Sequence, residues 1–240
     1  MAFPAKTDYF GLATSLSSSL TLKNSSLNDS TNVVEAQNEK GDVIAEEVLD
    51  PVASPSVTYE VKDDVDLNDI TLGAITTVGT GASARAFAIE SVSFNTAPAT
   101  VPELTVSGQE VEAGATTANS TTIELPSVSL KKWHDAQILG SAFGLSGTGC
   151  YLQGCNYTVR GDISKATADG KCVAHDIQNG RIECQATIVK TGTVAPTVTP
   201  ATGWIVTSPL TIDEPDENYP TYTVTLTKYL TSEHPSSSST

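Results

Sequence analysis

Residues Arg181–Lys190 (RIECQATIVK) sort their side chains by parity. Ile182, Cys184, Ala186 and Ile188 point one way, and Arg181, Glu183, Gln185 and Thr187 the other. Successive side chains of an extended chain face opposite sides, so this alternation specifies a strand with one face in a core. The same period recurs at Val57, Tyr59 and Val61, set between Ser56, Thr58, Glu60 and Lys62. It returns in Thr221–Leu230, where Tyr222, Val224 and Leu226 turn inward and the outward face is almost all Thr. A chain rich in Ser, Thr, Val, Ala and Gly favours strands and turns over helices. With 240 residues it can bury a real core, as one all-β domain or two small ones.

Between these strands the turn residues divide the chain. Ser30–Lys62 reads as strand, tight turn, strand, Pro-broken loop and strand, with Gly41 supplying the reversal in Asn38-Glu39-Lys40-Gly41-Asp42. Ile70–Val78 forms a further strand. Ala84–Asn95 is a long one whose apolar phase shifts: Phe87 and Ile89 fall on one parity, Val92 and Phe94 on the other. A β-bulge near Glu90-Ser91 reconciles them. Leu104–Ser107 and Thr121–Leu125 are shorter strands on either side of an exposed loop. Cys150–Lys190 reads as a meander of Asn156–Arg160, Lys165–Ala168, Lys171–Asp176 and Arg181–Lys190, turning at Gly161-Asp162, Asp169-Gly170 and Asn179-Gly180.

One helix is expected, over about 129–139. Leu130, Trp133, Ile138 and Leu139 approximate a helical stripe, Ser127 or Ser129 caps it, and Gly140 ends it. Residues 1–30 are polar, with Phe3, Tyr9, Phe10 and Leu12 as anchors, and form an N-terminal arm that orders by docking on the body or on a neighbouring copy. The main domain then spans 31–230. Within it 191–202 is a Thr/Pro/Val linker and 211–220 an acidic, Pro-bounded loop. Residues 231–240 are a flexible tail.

Charge is uneven along the chain. The formal total is −15, from 13 basic and 28 acidic side chains. Residues 1–125 carry a net −13, residues 126–190 a net +2 and residues 191–240 a net −4. Such a balance argues against a groove that grips phosphate. Either acidic loops simply cluster, or complementary faces meet when copies stack. Glu35–Asp69 is the densest acidic stretch, with 11 acidic and 2 basic residues.

No catalytic or metal constellation emerges, so neither an enzyme nor a cofactor is expected. The four cysteines, Cys150, Cys155, Cys172 and Cys184, lack the C-x2-C knuckle of a zinc site. They read as buried thiols, or as a disulfide such as Cys150–Cys155 or Cys172–Cys184. Asp64-Val-Asp66-Leu-Asn68 opens like a calcium loop, but Asp69 stands where Gly is needed and Ile75 where Glu is needed. Gly79-Thr-Gly81-Ala-Ser-Ala84 precedes a strand rather than a helix, and Gly144-Leu-Ser146-Gly147 misses a nucleophile elbow. His134, His175 and His234 have no triad or metal spacing. Arg160-Gly161-Asp162 matches an adhesive tripeptide that a hairpin turn explains. MAFPAKTDYFGLATS lacks a basic region followed by an apolar run, and no stretch reaches the ~20 apolar residues of a membrane span. The expectation is a protein made in a cytoplasm, with no membrane partner, whose sequons at Asn24, Asn28, Asn119 and Asn156 carry no glycan.

An acidic strand–turn–strand after a polar arm, a bulged long strand, a short helix, a meander and a closing strand resembles phage tail tube proteins. The residues that carry the likeness are NEKGDVIAEEVLD at Asn38–Asp50, ESVSFN at Glu90–Asn95, QGCNYTV at Gln153–Val159 and KKWHDAQIL at Lys131–Leu139. The resemblance implies an all-β subunit, a β-sandwich or β-barrel with one short helix, an extended N-terminal arm and a protruding hairpin loop. It further implies hexameric rings stacked into the DNA conduit of a long-tailed phage, with the chain's partners being itself, other tail proteins and DNA that passes without specific binding. An acidic wall would repel that DNA, with Glu46, Glu47, Asp50, Asp63, Asp64 and Asp66 as candidate lumen or interface residues. A capsid decoration or other minor virion protein shares the β content but should be a monomer or trimer. A surface adhesive sandwich fits the sequons and the Arg160-Gly-Asp162 tripeptide but wants a signal peptide.

Overall fold

Alternating hydrophobicity becomes an almost unbroken run of strands. The computed structural model describes residues 20–30, 33–48, 52–61, 70–78, 85–97, 100–112, 114–117, 121–122, 149–168, 171–191, 196–213 and 219–230. In chain order the strands are β1 (Leu20–Ser30), β2 (Val33–Gln37), β3 (Val43–Val48), β4 (Val52–Val61), β5 (Thr71–Leu72), β6 (Ile75–Val78) and β7 (Arg85–Thr96). Next come β8 (Glu103–Val111), β9 (Thr116–Thr117), β10 (Thr121–Thr122), β11 (Cys150–Ala168), β12 (Lys171–Lys190), β13 (Trp204–Asp213) and β14 (Thr221–Tyr229). The fold is all-β, with no helix among the described residues. The helix expected over about 129–139 falls outside them.

Ten strands make one sheet. Eight lie in the order β1-β4-β8-β7-β11-β12-β14-β13, each antiparallel to its neighbours. β6 pairs with the first residues of β7, and the short β9 runs parallel to β12. Two further two-stranded sheets are β5 with β10 and β2 with β3. One face of the large sheet supplies the core: Val57, Phe87, Phe94, Leu104, Val106, Val159, Ile182, Ile188 and Leu226 are each at most 2% exposed. An aliphatic or aromatic side chain buried so fully contributes about 1.5–3 kcal/mol, which a flat sheet open to water on both faces would forfeit. The inward face is therefore closed over, as a β-sandwich or barrel requires. The same core takes in Ile70 and Leu72 from outside this sheet and Trp204 from its last strand.

Several expectations need correcting in detail. Leu20–Ser30, assigned to the N-terminal arm, is the first strand and pairs with β4 of the same chain from Leu20↔Val61 to Ser30↔Val52. Ile70–Val78 is two strands, because Gly73, at φ 78°, turns the chain between Leu72 and Ile75. The meander of four strands is a single long hairpin, β11 with β12, with one reversal between Ala168 and Lys171. At the other two presumed turns the register slips instead: Arg160 pairs with Arg181 and Asp162 with Gln178, leaving Gly161 facing Asn179-Gly180. Asn179 is left-handed, at φ 50°, so the extra residue is taken up as a bulge and both strands run on. The phase shift in β7 has the expected cause. Its register against β8 slips between Ile89 and Ser91, which keeps Ile89 and Val92 both inward, at 4% and 1% exposed.

Candidate assembly interface

The β2–β3 hairpin forms a two-stranded sheet of its own with a hydrogen-bonded tip. The Asn38 side chain builds the turn: its Oδ1 accepts from the Lys40 and Asp42 amides at 2.9 and 3.0 Å, and its Nδ2 donates to Asp42 Oδ2 at 3.0 Å. Gly41, at φ 85°, donates its amide to the Asn38 carbonyl at 2.9 Å. Residues 35–45 are all exposed, including Val43 at 49% and Ile44 at 66%. The consecutive apolar run Val43-Ile44-Ala45 is the signal for this in the sequence. Adjacent apolar residues on a strand cannot both face one core.

Of the six acidic residues named as candidates, Glu46 and Glu47 lie on β3, where the register sets them opposite Glu35 and Val34. Like charges on directly paired residues disfavour pairing at the Glu35–Glu46 position. Asp50, Asp63, Asp64 and Asp66 lie outside the described residues, as does the Asp64–Asn68 stretch.

Among the described residues the large sheet ends at β1 on one side and β13 on the other. On β13, Val206 and Ile212 pair with the buried Leu226 and Tyr222, which gives them inward parity, yet they are 39% and 52% exposed. Among the described residues nothing covers the apolar face at this edge. Edges of this kind invite pairing with another chain. In the sequence 204–210 carry no assignment and 211–220 read as a loop, because Pro209 interrupts the alternation; Thr211–Asp213 instead continue β13, past two register shifts.

The outer face is polar and knit by hydroxyls. Thr58 Oγ1 and Thr105 Oγ1 are 3.0 Å apart, Ser107 donates to Ser56 at 3.3 Å, and Thr207 and Thr227 meet at 3.1 Å. The Arg160-Gly161-Asp162 tripeptide is engaged rather than offered. Arg160 Nη2 donates to both Glu183 oxygens at 2.7 and 2.8 Å, while Asp162 accepts from Asn179 at 2.9 Å and Arg181 at 3.1 Å. Those hydrogen bonds, from Asn179 first and Arg181 second, hold the Asp162 carboxyl below its usual range. Burial pushes Glu183 up, but the hydrogen bonds from Arg160 and Arg181 bring it below its usual value.

A cleft of about 420 Å³ opens where β7, β11 and β12 run side by side, with Asn95, Thr100, Glu103, Asn156, Gln185 and Cys155 among its lining residues. All four cysteines are free, and Cys155 and Cys184, in neither of the pairings anticipated, approach to 3.7 Å between Sγ atoms. Cys184 is fully buried, as its strand parity suggested. Burial pushes its thiol well up.

Among the described residues no three His, Cys, Asp or Glu side chains converge as metal ligands. His175 stands on β12 opposite Lys165, and His134 and His234 lie outside the described residues. No helix among the described residues is long and apolar enough to cross a membrane. No protein-family model matches this chain, and no curated protein matches it.

Proposed function

We propose that this chain is a structural virion protein that assembles with its own copies into stacked rings, six to a ring, forming the tail tube of a long-tailed bacteriophage. The observation that carries the reading is the β2–β3 hairpin. An isolated two-stranded hairpin is marginal in water, yet this one has an ordered tip and holds Val43 and Ile44 out to solvent. Such an element gains its stability by docking on something else, and a neighbouring ring of the same protein supplies that surface. The apolar edge of β13, uncovered among the described residues, supports lateral association in the same way. The net −13 of residues 1–125 suits a wall along which DNA slides without sticking, because it repels phosphate.

In this reading the acidic stretch from Glu35 to Asp69, with Glu46, Glu47, Asp50, Asp63, Asp64 and Asp66, faces the lumen or the next ring. The remaining partners are other tail proteins. The test is negative-stain electron microscopy of the purified chain at rising concentration. Rings or hollow tubes are expected. Compact monomers or trimers at every concentration would overturn the proposal in favour of a capsid decoration protein.

A further inference from the structure

β11 and β12 place two thiols in contact. In their register Tyr157 pairs with Cys184 and Cys155 with Ala186, so Cys155 and Cys184 are diagonal neighbours on the same inward face. Their sulfurs are 3.7 Å apart, and both side chains belong to the main core. The remaining two cysteines are placed elsewhere: Cys150 is half-buried at the start of β11, and Cys172 packs with Ala86, Ala88 and Val111 in a separate small cluster.

Two further observations mark this pair out. Cys155 is among the residues lining the cleft and Cys184 is not, so Cys155 is the member of the pair nearer to a small solute there. The Tyr157 hydroxyl, on a side chain 3% exposed, stands beside both sulfurs and makes no well-directed hydrogen bond among the described residues. A buried hydroxyl left in that state costs about 1–3 kcal/mol, so it is expected to have a use. A phenol donates well to a thiolate.

We propose that Cys155 and Cys184 are an oxidation site, a dithiol that a small peroxide entering the cleft converts into a cross-strand disulfide. Cys155 is the sulfur the oxidant meets. Its thiolate attacks one peroxide oxygen: an S–O bond forms, the O–O bond breaks, and the departing hydroxide takes up the thiol's proton to leave as water. Cys184 then attacks the sulfenic sulfur: an S–S bond forms, the S–O bond breaks, and the hydroxyl leaves with the Cys184 proton as a second water. Two thiols lose two electrons and two protons, and one peroxide becomes two waters. Tyr157 is a positioning residue, donating to the Cys155 sulfur while it carries charge. Closing residues 155–184 into a loop stiffens the middle of the hairpin that joins β7 to β14.

The experiment treats the full chain with hydrogen peroxide, blocks the remaining thiols by alkylation in denaturant, and maps the peptides without reduction. Free thiols should fall from four to two, with Cys155 and Cys184 joined and Cys150 and Cys172 alkylated. Reduction should restore all four, and the oxidised form should melt about 5 °C higher. In a Cys184→Ser variant, dimedone should label Cys155. Tyr157→Phe should slow oxidation about tenfold and move its pH profile. Retention of four free thiols by the folded wild-type chain would overturn the proposal, as would a disulfide between any other two cysteines. The wild-type map decides this even where a core variant fails to fold.

Discussion

The guanidinium of Arg85 grips both oxygens of Glu110, with Nε 2.8 Å from Oε1 and Nη2 2.6 Å from Oε2. Both side chains are about four-fifths buried, and Glu110 Oε2 also accepts the Ala53 amide at 3.0 Å. One carboxylate therefore ties β7, β8 and β4 together. Replacing Glu110 with Ala removes two charged acceptors from a cation about four-fifths buried and takes this acceptor from the Ala53 amide. Urea unfolding should show a loss of about 2–3 kcal/mol, larger than for an exposed ion pair such as Arg160–Glu183.

Gly161 and Gly154 lie on the same strand and should answer oppositely to substitution. A Cβ on Gly161 would collide with the Ile177 side chain and the Gln178 carbonyl, whereas one on Gly154 meets nothing within 4 Å. Gly161→Ala should cost about 1–3 kcal/mol, and Gly154→Ala should change stability by less than about 0.5 kcal/mol. Equal effects in denaturant titrations would refute a close approach at the bulge.

Acid should weaken the protein through Asp162 and Glu183. Both carboxyls sit below their ordinary values of 3.8 and 4.5 in the fold, so the folded state binds fewer protons than the unfolded chain there. Their contribution is complete above those values and is lost as pH falls through the depressed ones. Thermal midpoints should drop as pH is lowered from about 5, and Asp162→Asn with Glu183→Gln should flatten that slope. Because Asp162 is largely exposed, added salt should reduce its share.

Ile44 separates folding from assembly. At 66% exposure it adds little to the subunit, so Ile44→Asp should leave the thermal midpoint within about 2 °C of wild type. On the proposed ring assembly, the concentration needed for rings or tubes should rise by about tenfold or more, since each subunit would lose one apolar contact. Light scattering against concentration reads this directly. Unchanged assembly would remove the hairpin from the interface.

Much of the fold was legible before any coordinates. Parity in Arg181–Lys190 and Thr221–Leu230 gave the inward faces of β12 and β14, and Ile182, Cys184, Ala186 and Ile188 are all buried. The broken phase of Ala84–Asn95 located the bulge in β7. The hairpin signals were weaker guides. Asn179-Gly180 and Gly161-Asp162 look like reversals, but a left-handed residue flanked by a glycine serves a bulge equally well. Only the partner strand tells them apart. Both edge strands were missed, since an edge buries little and its alternation is correspondingly faint, as Pro209 and the exposed Ile205 and Val206 show.

The sequence by itself determined the class: local alternation dictates strands, the strands' apolar faces dictate a shared core, and the acidic first half dictates a strongly negative formal charge there. Tertiary structure alone decided which strands are neighbours, and with that everything that depends on residues distant in sequence. Cys155 meets Cys184, Arg85 meets Glu110, and Lys165 meets Glu90 at 2.8 Å because strand order and register bring them together. Period 2 fixes which way a side chain points but carries no information about what stands opposite it, and a slip of one residue would exchange the two faces.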